Sequence, residues 1–83
     1  MRIQLRYFAS LREALGPGET MEFPGATTAG AIRQTLAARG GRYAELLAPG
    51  RAVRCAVNQV MADEAAPIDA NAELAFFPPV IGG

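Results

Sequence analysis

Glycine and proline cut this chain into pieces too short for anything but a small, many-turned fold. Gly16-Pro17-Gly18, Pro24-Gly25, Gly40-Gly41, Pro49-Gly50 and Pro78-Pro79 each interrupt regular structure, because proline lacks an amide donor and glycine gains backbone freedom outside it. The pieces between them carry two different periods. Arg2–Phe8 alternates polar and apolar, placing Ile3, Leu5 and Tyr7 on one face of a strand. Glu19–Phe23 alternates again, with Met21 and Phe23 apolar, and predicts a second strand pairing with the first. Ala29–Arg39 switches to the helical period: Ile32 and Leu36 lie four apart with Ala29 and Ala37 alongside, Thr27 or Thr28 caps the start, and Arg33, Gln34 and Arg39 are expected on other faces. Ser10-Leu11-Arg12-Glu13 has the form of a capping box, with Ser10 as N-cap and Glu13 at N3, and predicts a short helix ending at Gly16. Tyr43–Leu47 is read as one further helical turn. Val53, Cys55 and Val57 alternate with Arg54 and Ala56, Asn58-Gln59 offers a tight turn into Val60-Met61, and Glu73–Phe77 closes the chain's last strand before Pro78-Pro79.

The order β-β-α-β-(β)-β, with one long helix crossing a mixed sheet, predicts an α+β fold of the ubiquitin-like β-grasp type. Four to five strands and extra short helices are expected, in a domain over 1–77 followed by an extended, flexible tail over 78–83. At 83 residues the chain buries only about 60% of its unfolded surface, so it is expected to act through its surface or its ends. Formal charge is zero, with eight acidic and eight basic residues, which argues against nucleic acid and anionic membrane as partners. Every basic residue is Arg; without Lys there is no side-chain amine for a Schiff base or an isopeptide bond. Without His, and with one Cys, no metal site or nucleophilic triad can be assembled from the usual groups. Cys55, between Val53 and Val57 on an apolar face, is expected to be a core residue with a raised thiol pKa. A lone cysteine and the lack of a signal segment point to the cytoplasm.

What remains is Phe76-Phe77-Pro78-Pro79-Val80-Ile81-Gly82-Gly83. Pro79 holds Pro78 extended, and the pair acts as a stiff spacer. Six residues at ~3.3 Å each reach roughly 20 Å, ending on two residues without Cβ. Such a tail can thread a narrow channel, gripped there by Val80 and Ile81. Strand alternation puts Leu74 and Phe76 on the inner face and Phe77 outward, where Phe77, Pro78, Pro79 and Met61 are expected to form an apolar docking patch. Arg12 and Arg54 are candidates for its charged rim.

Phe-Phe-Pro-Pro-Val-x-Gly-Gly resembles the tail of the small subunits of molybdopterin synthase, the β-grasp sulfur carriers of molybdenum cofactor biosynthesis. Tyr7-Phe8-Ala9-x-Leu11-Arg12-Glu13-x-x-Gly16, Ala56-Val57-Asn58-Gln59 and Glu73–Phe77 are similar to the same family, so the resemblance spans nearly the whole chain. Ile81 departs from it, standing where a small residue is expected. The resemblance implies a chain that is not an enzyme by itself and binds no cofactor or metal. A ubiquitin-activating-like partner uses ATP to adenylate Gly83, a sulfur donor protein converts it to a thiocarboxylate, and Gly82 lets the backbone pass. The tail then enters the large catalytic subunit, in a heterotetramer of two small and two large subunits, where the dithiolene of molybdopterin is built. Alternatives are a β-grasp carrier for thiazole, cysteine or tRNA thiolation, a ubiquitin-like protein modifier, and a plain binding module.

Overall fold

The computed structural model describes residues 1–79. Its elements in chain order are β1 (Arg2–Tyr7), α1 (Ala9–Leu15), β2 (Gly18–Glu22), β3 (Thr27–Thr28), α2 (Ala29–Ala37), α3 (Gly41–Leu47), β4 (Arg54–Val57), β5 (Val60–Ala62), β6 (Pro67–Ile68) and β7 (Glu73–Phe77). Five strands form one mixed sheet in the order β2-β1-β7-β4-β5, and β3 and β6 pair separately. The first and last strands lie side by side and parallel, Leu5 opposite Leu74 and Tyr7 opposite Phe76. This is the expected ubiquitin-like β-grasp. The β3–β6 pair was not foreseen.

Alternation decides what each sheet face does. Ile3, Leu5 and Tyr7 from β1, Cys55 from β4, and Leu74 and Phe76 from β7 point inward and meet Leu11, Ile32, Leu36 and Leu47 from the helices. Each such large side chain contributes about 1.5–3 kcal/mol by leaving water. β2 pairs antiparallel with β1, Gly18 opposite Arg6. A Cβ on Gly18 would lie 2.1 Å from the Leu5 carbonyl oxygen, so only glycine lets β2 approach there.

Thr28 caps α2 through its hydroxyl oxygen, which accepts from the Ala31 N–H at 3.1 Å. Two local expectations are corrected. Ser10 is not an N-cap: it lies inside the first turn of α1, which starts after Phe8 with no side-chain cap. The Phe8 carbonyl accepts from the Leu11 and Arg12 N–H groups instead, and Ala9 adopts a left-handed φ of 53° to turn strand into helix. Arg33 is not on a solvent face but buried, at 6% exposure. Its guanidinium donates to the carbonyls of Leu47 (2.7 Å), Ala48 (2.9 Å) and Arg51 (2.8 Å) and pairs with Glu64 (2.8 Å). The turn between α3 and β4 gives these carbonyls one backbone donor, the Arg51 N–H to Ala48 at 3.1 Å, and Arg33 supplies the others.

Candidate functional site

The outer face of the sheet is where β7 ends. Glu73, Ala75 and Phe77 alternate with the buried Leu74 and Phe76, so they face away from the helices. Across the ladder Ala56 stands opposite Ala75, and Arg54 opposite Phe77. The two alanines cover little of the backbone and make a flat apolar floor. Phe8 and Phe77 rise beside it, and the floor runs directly into Pro78 and Pro79. The result is a groove of about 550 Å³, completed by Ala9, Gln59 and Glu73.

Each wall has a local cause. Phe8 follows Tyr7 by one residue, so a strand that buries Tyr7 must turn Phe8 outward; Phe8 is 38% exposed. Its N–H still donates to the Phe76 carbonyl at 3.1 Å, fixing β1 to the end of β7. The Arg6 guanidinium lies 5.5 Å above the Phe8 ring and 3.5 Å from a Glu73 carboxylate oxygen. Asn58 and Gln59, both at positive φ (49° and 68°), form the tight turn foreseen between β4 and β5 and bring Gln59 to the groove lip. Asn58 ties that turn to β7, its side-chain oxygen accepting from the Glu73 N–H at 3.0 Å.

The site residues foreseen from sequence fall in different places. Phe77, Pro78 and Pro79 are half-buried and line the groove. Met61, 57% exposed, stands opposite Ala56 on the same sheet face but does not line the groove. Arg12 is exposed on α1 and borders a neighbouring hollow with Gln4, Arg6, Gly18 and Thr20. Arg54 borders a third, with Cys55, Asp63 and Glu64. Val80, Ile81, Gly82 and Gly83 lie outside the described residues. Sequence reasoning missed the other groove residues, Phe8, Ala9, Ala56, Gln59, Glu73 and Ala75. The signal for Phe8 was present, since the alternation that buries Tyr7 exposes it.

The titratable groups lie elsewhere. Burial, with Glu64 and Asp63 nearby, pushes the Cys55 thiol up, and its sulfur donates to the Ala62 carbonyl at 3.3 Å. Glu19 receives Arg39 through both carboxylate oxygens (2.8 and 2.9 Å) and the hydroxyls of Tyr7 (3.1 Å) and Tyr43 (3.4 Å). The Arg39 bonds hold its carboxyl below the usual range, while burial and Glu19 push the Tyr7 hydroxyl well above its own. Among the described residues no cluster of His, Cys, Asp or Glu could hold a metal, and no helix is long and apolar enough to cross a membrane.

A mixed sheet with parallel first and last strands, wrapped on one main helix and carrying its apolar groove at the root of a terminal extension, defines a ubiquitin-like β-grasp domain. Within that class the chain belongs to the ThiS family, whose pattern matches residues 5–83. It is similar to the molybdopterin synthase sulfur carrier subunit of Escherichia coli (strain K12), 38% identical over 98% of this chain and 99% of that one. It is also similar to the Haemophilus influenzae subunit of the same name, at 33% identity over the same shares. Among solved structures, a protein–protein complex of subunits 1 and 2 of molybdopterin-converting factor from Helicobacter pylori 26695 matches with a TM-score of 0.68 and 19% identity, covering all of both chains.

Proposed function

We propose that this chain is a sulfur-carrier subunit of a molybdopterin synthase, delivering sulfur as a thiocarboxylate on Gly83. The observation that carries the reading is positional: the exposed apolar groove and the root of the Gly-Gly tail are the same place, Phe77-Pro78-Pro79. A partner that docks on the groove receives the tail without further search. The relatives' names supply the sulfur chemistry, and the family match runs through Gly83.

The chemistry follows from the terminus. A chain-terminal carboxylate is anionic at neutral pH and a poor acyl electrophile. An adenylating partner uses ATP to join it to AMP, releasing pyrophosphate. The outer sulfur of a donor protein's persulfide then displaces AMP to give an acyl disulfide. A second thiol cleaves its S–S bond, releasing the thiocarboxylate and leaving a disulfide between the two thiol sulfurs. Docked on the large subunit, the tail presents that sulfur to a cyclic pyranopterin, and two deliveries complete the dithiolene. A heterotetramer of two small and two large subunits, working in a reducing compartment, fits this cycle. The small subunit contributes a docking face and a thin, correctly long arm, and the catalytic groups belong to its partners.

The test removes one residue. Charging with ATP, activating enzyme and sulfur donor is expected to raise the intact mass by about 16 Da, sulfur replacing oxygen. Deleting Gly83 retracts the carboxylate by roughly 3.3 Å, and misplacement of ~1 Å already costs about a hundredfold in rate. Molybdopterin formation should collapse while thermal unfolding is unchanged. A deletion variant that still makes molybdopterin near the wild-type rate returns the chain to a plain binding module. Lysine-linked conjugates in cell extract, with no mass gain from sulfur, would favour a protein modifier.

A further inference from the structure

The two edges of the sheet are treated differently. β2 carries Glu19 and Glu22, engaged by Arg39 and Arg2, and charged side chains of this kind discourage added strands. β5 has no charge, no proline and no such cover. Val60 is 68% and Met61 57% exposed, and among the described residues β4 is the only sheet neighbour of β5.

The Asn58-Gln59 turn fixes which backbone groups face out. In a two-residue hairpin the flanking pair, here Val57 and Val60, exchanges both hydrogen bonds, so the next pair, Ala56 and Met61, exchanges none. Met61 therefore directs its N–H and its C=O to the open side.

We propose that β5 is a self-pairing edge at which a second copy of this chain adds antiparallel, Met61 opposite the partner's Met61. The register is self-complementary. A two-fold axis runs between the two Met61 residues, and each N–H donates to the other's carbonyl. Val60 faces the partner's Ala62, so the two most exposed large apolar side chains of the described residues are covered together. Zero formal charge removes long-range repulsion between copies. The contact is short, so the equilibrium is weak and reversible. Met61 also lies beside Ala56, a groove-floor residue, so a partner docking on the groove displaces the second copy.

Sedimentation equilibrium of the full chain from about 10 μM to about 1 mM tests this, a range bracketing weak association. The wild-type mass is expected to rise toward twice the monomer. Met61→Pro removes the outward N–H at an edge position where proline leaves the β4 ladder intact, and Met61→Lys sets two ammonium groups side by side. Both should remain monomeric, with unchanged circular dichroism; if the proline variant misfolds, the lysine variant decides, because its side chain is exposed in the monomer. A wild type that stays monomeric, or a dimer indifferent to both Met61 variants, overturns the proposal. So does a monomeric wild type whose large-subunit affinity is lost in Met61→Pro, which would give the edge to a partner's strand.

Discussion

The two faces of the same sheet are built from adjacent residues and have opposite fates. Inward, Tyr7, Leu74 and Phe76 are fully buried. Outward, one residue away in each strand, Phe8 and Phe77 stand at the walls of an open groove floored by Ala56 and Ala75. The inner face is filled with large side chains and sealed at its margins by charge. Arg33 closes one margin against three carbonyls and Glu64; Arg39 and Glu19 close another. The outer face is left flat by two alanines. On the proposed function, affinity for a partner and stability of the fold reside on different residues of one strand, and each can change without the other.

The largest expected effect breaks that division at β7. Phe76→Ala should cost about 3–5 kcal/mol, the range for a buried aromatic truncated in a core, and leave little folded protein at 37 °C. Phe77→Ala should barely move the melting temperature. It should instead weaken binding to the large subunit by about 2 kcal/mol, as loss of an aromatic anchor does. Calorimetric titration and thermal unfolding of both variants check the pair; equal effects of the two on stability would end the division.

Next in size is the Arg33 margin. Arg33→Met keeps the apolar stem but takes the side-chain donor from the carbonyls of Leu47 and Arg51, leaving Ala48 only its backbone bond from Arg51. Buried acceptors left unpaired cost about 1–3 kcal/mol, and urea unfolding should show a loss of that order. Retained stability would mean that the 48–51 turn finds other donors.

These cases show what the sequence made legible. Period-two alternation in Arg2–Tyr7 and Glu73–Phe77 identified both central strands and their buried faces, because a half-buried strand writes its orientation into every second residue. The groove was half legible: Phe77 was seen as outward, Phe8 was not, although the same alternation exposes both. Arg33 was hidden for a different reason. It occupies the row Ala29-Arg33-Ala37 beside the Ile32-Leu36 stripe, but only the distant turn at 48–51 shows why a charge belongs there. β3 and β6 have two residues each, too few for any period to register. The capping box failed because α1 starts two residues earlier than it implies, at Ala9 after Phe8, which puts Ser10 inside the first turn and not at its N-cap.

A smaller effect is expected at Cys55, an inner-face residue that the sulfur chemistry makes suspect. It is 3% exposed and its thiol is pushed up by burial, both of which suit a packing role. Cys55→Ala should cost on the order of 1 kcal/mol and leave the thiocarboxylate mass gain intact. A folded variant that no longer gains sulfur would move part of the chemistry onto the inner face.

The smallest effect sharpens the comparison at the margin where the inner face carries a charge. Glu19 stands opposite Leu5, on the inner side of β2, yet is ionised because Arg39 and two tyrosine hydroxyls complete its shell. Its carboxyl titrates below the ordinary 4.5, so folding prefers the ionised form. The sign is then fixed. The stabilisation is fully present above the unfolded pKa, and it fades as pH falls from about 4.5 through the lower folded value, where both states bind the proton. Because the group is partly solvated, the expected contribution is below about 1 kcal/mol. Other carboxylates titrate in the same window, so the informative quantity is a difference: urea unfolding of wild type and Glu19→Gln at neutral pH and in steps to pH 3. Wild type should be the more stable at neutral pH, with the gap closing in acid as its own carboxylate becomes neutral like the amide. A gap that persists unchanged in acid would assign the stabilisation to packing at Glu19 and not to its charge.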